Sequence, residues 1–209
     1  MRSRISAIVL AAGAGSRFGG GKLLAPFGGR TLIEATLLGL RGAPVDETIA
    51  VVGNDAEGLR GLCESYGVSL AENPDWAEGM ATSVKKGLAA CSPDASGAVV
   101  VLGDQPLVGS KAVKRLVEAH KGGAAVAVAT YGGERRNPAL FARGTWPMLE
   151  EELSGDEGVR RFLRSHPEMV AEVPCDDVAD PTDVDTVEDL RRLEARGPGK
   201  PMNQKEARR

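Results

Sequence analysis

Five glycines fall within the nine positions from Gly13 to Gly21, with Arg17 among them and Lys22 directly after. Glycine lets a backbone come close to a ligand and turn its N–H groups inward, and two fixed cations add positive charge to that concavity. Such a segment is a cradle for a phosphate tail. A tight turn between a strand and a helix accounts for one or two of the glycines but not for the interleaved cations. Two familiar phosphate loops do not fit. A Walker A loop needs Gly five positions before Gly21 and a hydroxyl residue after Lys22, where the chain has Ser16 and Leu23. A dinucleotide fingerprint needs its third Gly where Phe18 stands and an acidic residue closing a second strand, and Glu34 falls instead in the first turn of an expected helix. Kinase, GTPase and dehydrogenase readings are therefore set aside.

A second signal is Asp104, which follows the apolar run Ala98–Leu102 and is flanked by Gly103 and Pro106. A carboxylate at the carboxyl end of a buried strand stands where open α/β sheets bind ligands. It suits Mg²⁺, which takes one or two carboxylates together with phosphate oxygens and water. The alternative is a helix cap. Asp185 carries the same ambiguity, either as an N-cap with Glu188 in the first turn or as a second metal carboxylate. Histidine offers little: His120 ends an apolar helical stripe of Val113, Leu116 and Val117, His166 precedes Pro167 at a helix end, and both read as surface residues. Cys63, Cys91 and Cys175 match no metal-ligand or disulfide spacing and read as buried reduced thiols of a cytoplasmic protein.

The elements that must position these residues follow from the pattern of short apolar runs alternating with helical stretches, which specifies α/β with a mainly parallel sheet covered on both faces. Strands are expected at Ile5–Leu10, Thr48–Val52, Val68–Ala71, Ala98–Leu102, Ala124–Thr130 and Met169–Val173. Helices are expected after Thr31, Asn54, Glu78, Ser110, Thr145 and Asp185, with capping boxes at Thr31/Glu34 and Ser154/Glu157. The 209 residues suit one domain over 1–194, with a polar, basic tail over 195–209. Only eight aromatic residues are present, so Ala, Val and Leu must fill the core. A formal charge of −3 argues against a general nucleic-acid binder. The apolar run from Ile5 to Ala12 is far short of the ~20 residues of a membrane span. The basic, glycine-rich loop after it does not suit a secretory signal.

Taken in order, Leu10-Ala11-Ala12-Gly13-x-Gly15-x-Arg17-Phe-Gly-Gly-x-Lys22, Gly79-Met-Ala-Thr-Ser83, Leu102-Gly-Asp-Gln-Pro106, Asn137-Pro138, Gly155-Asp-x-Gly-x-Arg160 and Asp185-Thr-x-Glu-Asp189 resemble the nucleotidyltransferases that mature the molybdenum cofactor, and among them the cytidylyl branch. The resemblance spans residues 5 to 193 and implies a Rossmann-like, three-layer α/β/α domain of the nucleotide-diphospho-sugar transferase type. It also implies transfer of CMP from CTP to the terminal phosphate of molybdenum-molybdopterin. On that basis Leu10, Ala11, Ala12, Gly13 and Gly15 would line the nucleotide. Arg17 and Lys22 would hold the triphosphate and act in catalysis with Asp104. Gly79 and Ser83 would read the base, and Asp104 and Asp185 would bind Mg²⁺. Ala12 stands where the guanylyl branch usually has Gly, which favours CTP over GTP. Val187 replaces a frequent Pro, and Arg136 precedes Asn137 where Gly is common, which bears on the acceptor side. Trp76 either lines the acceptor pocket or, the favoured expectation, packs in the core or a loop, and Arg160 either contacts the acceptor's phosphate or is an ordinary surface residue. Alternatives within the resemblance are a guanylyltransferase on the same acceptor and a cytidylyltransferase of a small polyol or sugar phosphate. Outside catalysis, a cofactor-delivery protein or docking on a client molybdoenzyme remains open. Neither a nucleic acid nor a membrane is an expected partner.

Overall fold

The computed structural model describes residues 3–196. Its strands are β1 (Arg4–Ala11), β2 (Pro26–Phe27), β3 (Arg30–Thr31), β4 (Glu47–Val52), β5 (Ser69–Glu72), β6 (Ala95–Leu102), β7 (Val126–Tyr131), β8 (Glu134–Ala142) and β9 (Val170–Pro174). Its helices are α1 (Leu32–Gly39), α2 (Ala56–Ser65), α3 (Met80–Ala90), α4 (Gly109–Lys121), α5 (Trp146–Glu152), α6 (Val159–Ser165) and α7 (Val187–Arg196). Apart from the small β2–β3 hairpin, the strands form one sheet in the order β5-β4-β1-β6-β8-β7-β9. All neighbours pair parallel except β8, which runs antiparallel to both β6 and β7. The sheet is thus mainly parallel, and the carboxyl ends of β1, β4, β5, β6 and β7 share one edge.

Alternation along β1 explains the three layers. Ile5, Ala7, Val9 and Ala11 face one core with Leu32 and Ile33 of α1, Leu59 of α2, Leu116 of α4 and Leu193 of α7. Ile8 faces the other, with Val84 and Leu88 of α3, Leu149 of α5 and Phe162 of α6. Burying each of the Val, Leu, Ile and Phe side chains among these contributes roughly 1.5–3 kcal/mol. Helix α3 sits close on the sheet because residue 87 is glycine: a Cβ there would stand 2.4 Å from Ile8 Cγ2.

All six expected strands are present, and the Thr31/Glu34 capping box forms. Four expectations are corrected. Helix α4 begins at Gly109, so Ser110 lies inside it. Ser154 does not cap: its hydroxyl accepts from Arg161 while Glu157 pairs with Arg164, because the turn at Gly155 (φ 57°) is broken by Gly158 and α6 starts only at Val159. The cap of α7 is Thr186, which exchanges hydrogen bonds with Asp189, one residue beyond the Asp185/Glu188 pair. Helix α7 runs through Arg196, past the expected tail boundary at 195, and residues 197–209 of that tail lie outside the described residues. Among the described residues no helix is long and apolar enough to cross a membrane.

Candidate active site

The glycine-rich segment leaves β1 at Ala11 and crosses the carboxyl edge of the sheet. Gly15, Gly19, Gly20 and Gly21 all take positive φ, and two bonds close the loop on itself, Phe18 N to Gly15 O at 2.9 Å and Gly20 N to Gly15 O at 3.1 Å. Glycine at 15 also eases the return of the loop: besides the positive φ, a Cβ there would lie 3.0 Å from Lys22 Cβ, a tight contact that would push Lys22 away from its place at the loop's base. Asp104 reaches the same place from β6. The turn that carries it is anchored by Gly103 N, which donates to Leu10 O at 2.9 Å, and by Thr36 Oγ1, which donates to Gly103 O at 2.8 Å.

The third contribution is an extended segment between β9 and α7, strapped over the Asp104 turn. Asp180 N donates to Leu107 O and Val184 N to Asp104 O, both at 3.1 Å. Gln105 Nε2 donates to Pro181 O at 3.0 Å and to Asp183 Oδ1 at 2.7 Å. Because Thr186 takes over the capping of α7, Asp185 is released to face the glycine loop. The outcome is one chain of charges: Lys22 Nζ lies 2.5 Å from Asp104 Oδ2 and 3.6 Å from Asp185 Oδ1, and Arg17 Nη1 lies 2.8 Å from Asp185 Oδ2. The side chains of Lys22 and Asp104 are 14% and 19% exposed, against 74% for Arg17. Asp183 stands beside this group. Burial, and then the Asp104 charge, raise its pKa from the ordinary aspartate value, although Gln105 donates to it.

A cavity of ≈ 320 Å³ opens next to the charge chain, lined by Gln105, Arg136, Asn137, Arg160 and Asp183 on its polar side and by Val159 and Leu163 on its apolar side. Arg135 also lines it, with its guanidinium held by Glu172 at 2.8 Å and by Leu163 O at 2.9 Å. The register of β7 and β8 slips between Val128 and Ala129, so that Ala139 pairs with Val128 while Arg136 pairs with Ala129. Asn137 and Pro138 are the extra residues of this bulge, which re-aims the strand at the cavity mouth.

Two carboxylates, two cations and a glycine-rich loop thus meet at the carboxyl edge of the sheet. Residues 7–170 match the model of the MobA-like NTP transferase domain. The chain belongs to this family. It is 34% identical over 197 residues to the nicotine blue oxidoreductase of Paenarthrobacter nicotinovorans, an alignment that covers 90% of this chain and 96% of the relative. It is 32% identical over 197 residues to the molybdenum cofactor guanylyltransferase of Rhodobacter capsulatus, covering 92% and 96%. The solved structure of Rv0371c from Mycobacterium tuberculosis H37Rv in complex with manganese superposes with a TM-score of 0.78 at 32% identity, covering 92% of this chain and 99% of that one.

Within this nucleotidyltransferase domain the remaining expected residues occupy distinct positions. Leu10 and Ala11 end β1 and Ala12 follows it, with Ala11 and Ala12 buried, and Gly13 lies exposed in the loop. Gly79 is the N-cap residue of α3, and a Cβ on it would stand 2.5 Å from the backbone of Gly155. Ser83 is 4% exposed, and its hydroxyl accepts from Asn73 Nδ2 at 3.0 Å. Asn73 also donates to Thr82 at 2.9 Å and accepts from Asp75 N at 3.1 Å, which ties the end of β5 to the first turn of α3. Trp76 packs on Gly53, where a Cβ would come within 2.7 Å of the indole. Cys91 and Cys175 are buried thiols pushed up to about 11 by burial, and His166 is bound to Glu152 at 2.5 Å. Asn73, Gln105 and Asp183 received no role from the sequence. Asp183 could have been noticed from its spacing of two from Asp185, since alternate residues of an extended segment share a face.

Proposed function

We propose that the protein transfers CMP from CTP to the terminal phosphate of molybdenum-molybdopterin and releases pyrophosphate. The observation that carries this reading is the interlocked set Arg17, Lys22, Asp104 and Asp185 around the glycine loop. A phosphate monoester is already anionic near neutral pH, so its attack on the α-phosphorus needs no general base. The protein must instead screen like charges and hold attacker and leaving oxygen in line. Backbone N–H groups of the glycine loop, Lys22 and Arg17 would bind the triphosphate. Leu10 to Gly13 and Gly79 to Ser83 would frame cytosine and ribose. The cavity beside Asp104, with Arg136 and Arg160 at its polar wall, would take the acceptor and its phosphate.

Asp104 and Asp185 suit a divalent ion held jointly with the nucleotide. Among the described residues no group of three or more His, Cys, Asp or Glu could hold a metal alone. Mg²⁺ commonly completes its octahedron with substrate phosphates and water. When bound, such an ion supplies positive charge for the phosphoryl oxygens in the transition state. The manganese bound by the Rv0371c protein supports divalent-metal use at this fold. The name of the Paenarthrobacter relative denotes a different reaction, and the pairing of two cations with two carboxylates supports phosphoryl transfer for this chain. The test is pyrophosphate release by pure protein with molybdenum-molybdopterin and Mg²⁺. Release is expected with CTP and should fall by about 10³-fold in Asp104→Ala. Reaction with GTP alone would assign the guanylyl activity, and reaction only with a small sugar or polyol phosphate would replace the acceptor. Cofactor delivery that survives Asp104→Ala without any pyrophosphate release would identify a carrier.

A further inference from the structure

Lys22 and Arg17 do not reach out to an open phosphate site; each is bonded to a carboxylate that the proposed reaction assigns to the metal. Lys22 Nζ bridges Asp104 Oδ2 and Asp185 Oδ1, at 2.5 and 3.6 Å, and Arg17 covers the other oxygen of Asp185 at 2.8 Å. The set of two cations and two anions is therefore neutral and self-paired. A divalent ion arriving alone would have to enter beside an ammonium that already occupies the position between the carboxylates, so like charges would face each other at short range. A triphosphate changes this, because it offers the two cations a denser anion and draws them off the carboxylates.

We propose that Lys22 and Arg17 act as stand-in counter-ions for the metal, so that nucleotide binding unlocks Asp104 and Asp185 and the divalent ion and CTP bind with positive coupling. The proposal rests on the nucleotidyltransferase reading given above. It concerns the order and linkage of binding, which that reading leaves undefined. Linkage is reciprocal: whatever weakens the hold of Lys22 on the carboxylates must strengthen metal binding in the absence of nucleotide. The same substitution must weaken the grip on the triphosphate, so the two affinities move in opposite directions. A lysine that merely braced the fold would move them together.

The experiment is equilibrium Mn²⁺ binding, read by the loss of the free-ion electron paramagnetic resonance signal with no nucleotide present. Wild type, Lys22→Met, Lys22→Arg and Arg17→Ala are compared. Lys22→Met is expected to bind Mn²⁺ about tenfold more tightly than wild type, while Lys22→Arg stays near wild type because its charge still occupies the carboxylates. Arg17 is largely exposed, so Arg17→Ala removes a partner without disturbing packing, and a severalfold gain is expected. Direct CTP binding, measured without metal, should weaken in Lys22→Met and Arg17→Ala. Unchanged or weaker Mn²⁺ binding in both charge-removing variants would overturn the exchange. The expected pattern of metal binding across the variants, with no pyrophosphate released from CTP by wild type, would sink the catalytic reading and leave the counter-ion exchange standing.

Discussion

Asn73 is buried, 3% exposed, and uses both ends of its amide: the nitrogen serves Thr82 and Ser83, and the oxygen receives the Asp75 N–H. One side chain thus fixes how the start of α3 meets the strand edge. Replacing it with Ala would take the donor from the buried Ser83 hydroxyl and remove the part-buried bonds to Thr82 and Asp75, each bond being worth about 1 kcal/mol net. Asn73→Ala is expected to raise the KM for CTP about tenfold while kcat falls much less, as steady-state pyrophosphate release would record; an unchanged KM would remove Asn73 from the nucleotide side. Residues of this kind were not legible in the sequence, because an Asn before Pro74 reads as turn chemistry. Arg17, Lys22 and Asp104 were legible because charge in a glycine loop or at a strand's end stands out against an apolar background. That the cations and carboxylates would pair with one another is a property of three-dimensional placement, since Asp104 and Lys22 are 82 positions apart.

At the scale of elements, α5 and α6 are tied end to end by His166 Nε2 and Glu152 Oε1 at 2.5 Å. The hydrogen bond to Glu152 raises the His166 pKa above its ordinary 6.5. A histidine raised in the folded state lends stability that is complete below its unfolded pKa and is lost as pH climbs through the folded value. Glu152→Gln should therefore lower the melting temperature most below pH 6.5 and progressively less above it. Melting curves of both proteins across that range check the claim, and a difference that grows with pH would refute it. The six parallel-type strands were legible as apolar runs, and the Thr31 cap as a hydroxyl three residues before an acid. Strand β8 was not: it opens with Glu134-Arg-Arg-Asn-Pro138, polar and interrupted by a proline, and a proline argues against an interior strand unless a bulge accommodates it. Its apolar half, Ala139–Ala142, pairs with both β6 and β7 and so supplies the antiparallel strand of the seven-stranded sheet, which alternating strands and helices do not announce. The α7 cap was displaced by one residue because Asp185 and Thr186 are both good capping types, and only the tertiary demand for Asp185 at the charge chain separates them.

Across the whole molecule the segments proposed for nucleotide and acceptor touch. Gly79 at the start of α3 has φ 117°, and a side chain there would meet the backbone of Gly155 at 2.5 Å, in the loop that leads to Arg160. Gly79→Ala combines backbone strain with a backbone clash and is expected to cost roughly 1–3 kcal/mol by urea denaturation. It should weaken CTP and acceptor together; loss of one alone would mean that the walls are independent. The strap that carries Asp183 and Asp185 adds a different consequence. The matched family domain ends at residue 170, whereas the second carboxylate of the charge chain stands at 185, held to the Asp104 turn through Val184 N. A fragment ending at residue 170 would keep the glycine cradle, Lys22 and Asp104 but lack the carboxylate that Arg17 meets at 2.8 Å, leaving the charge chain one anion short.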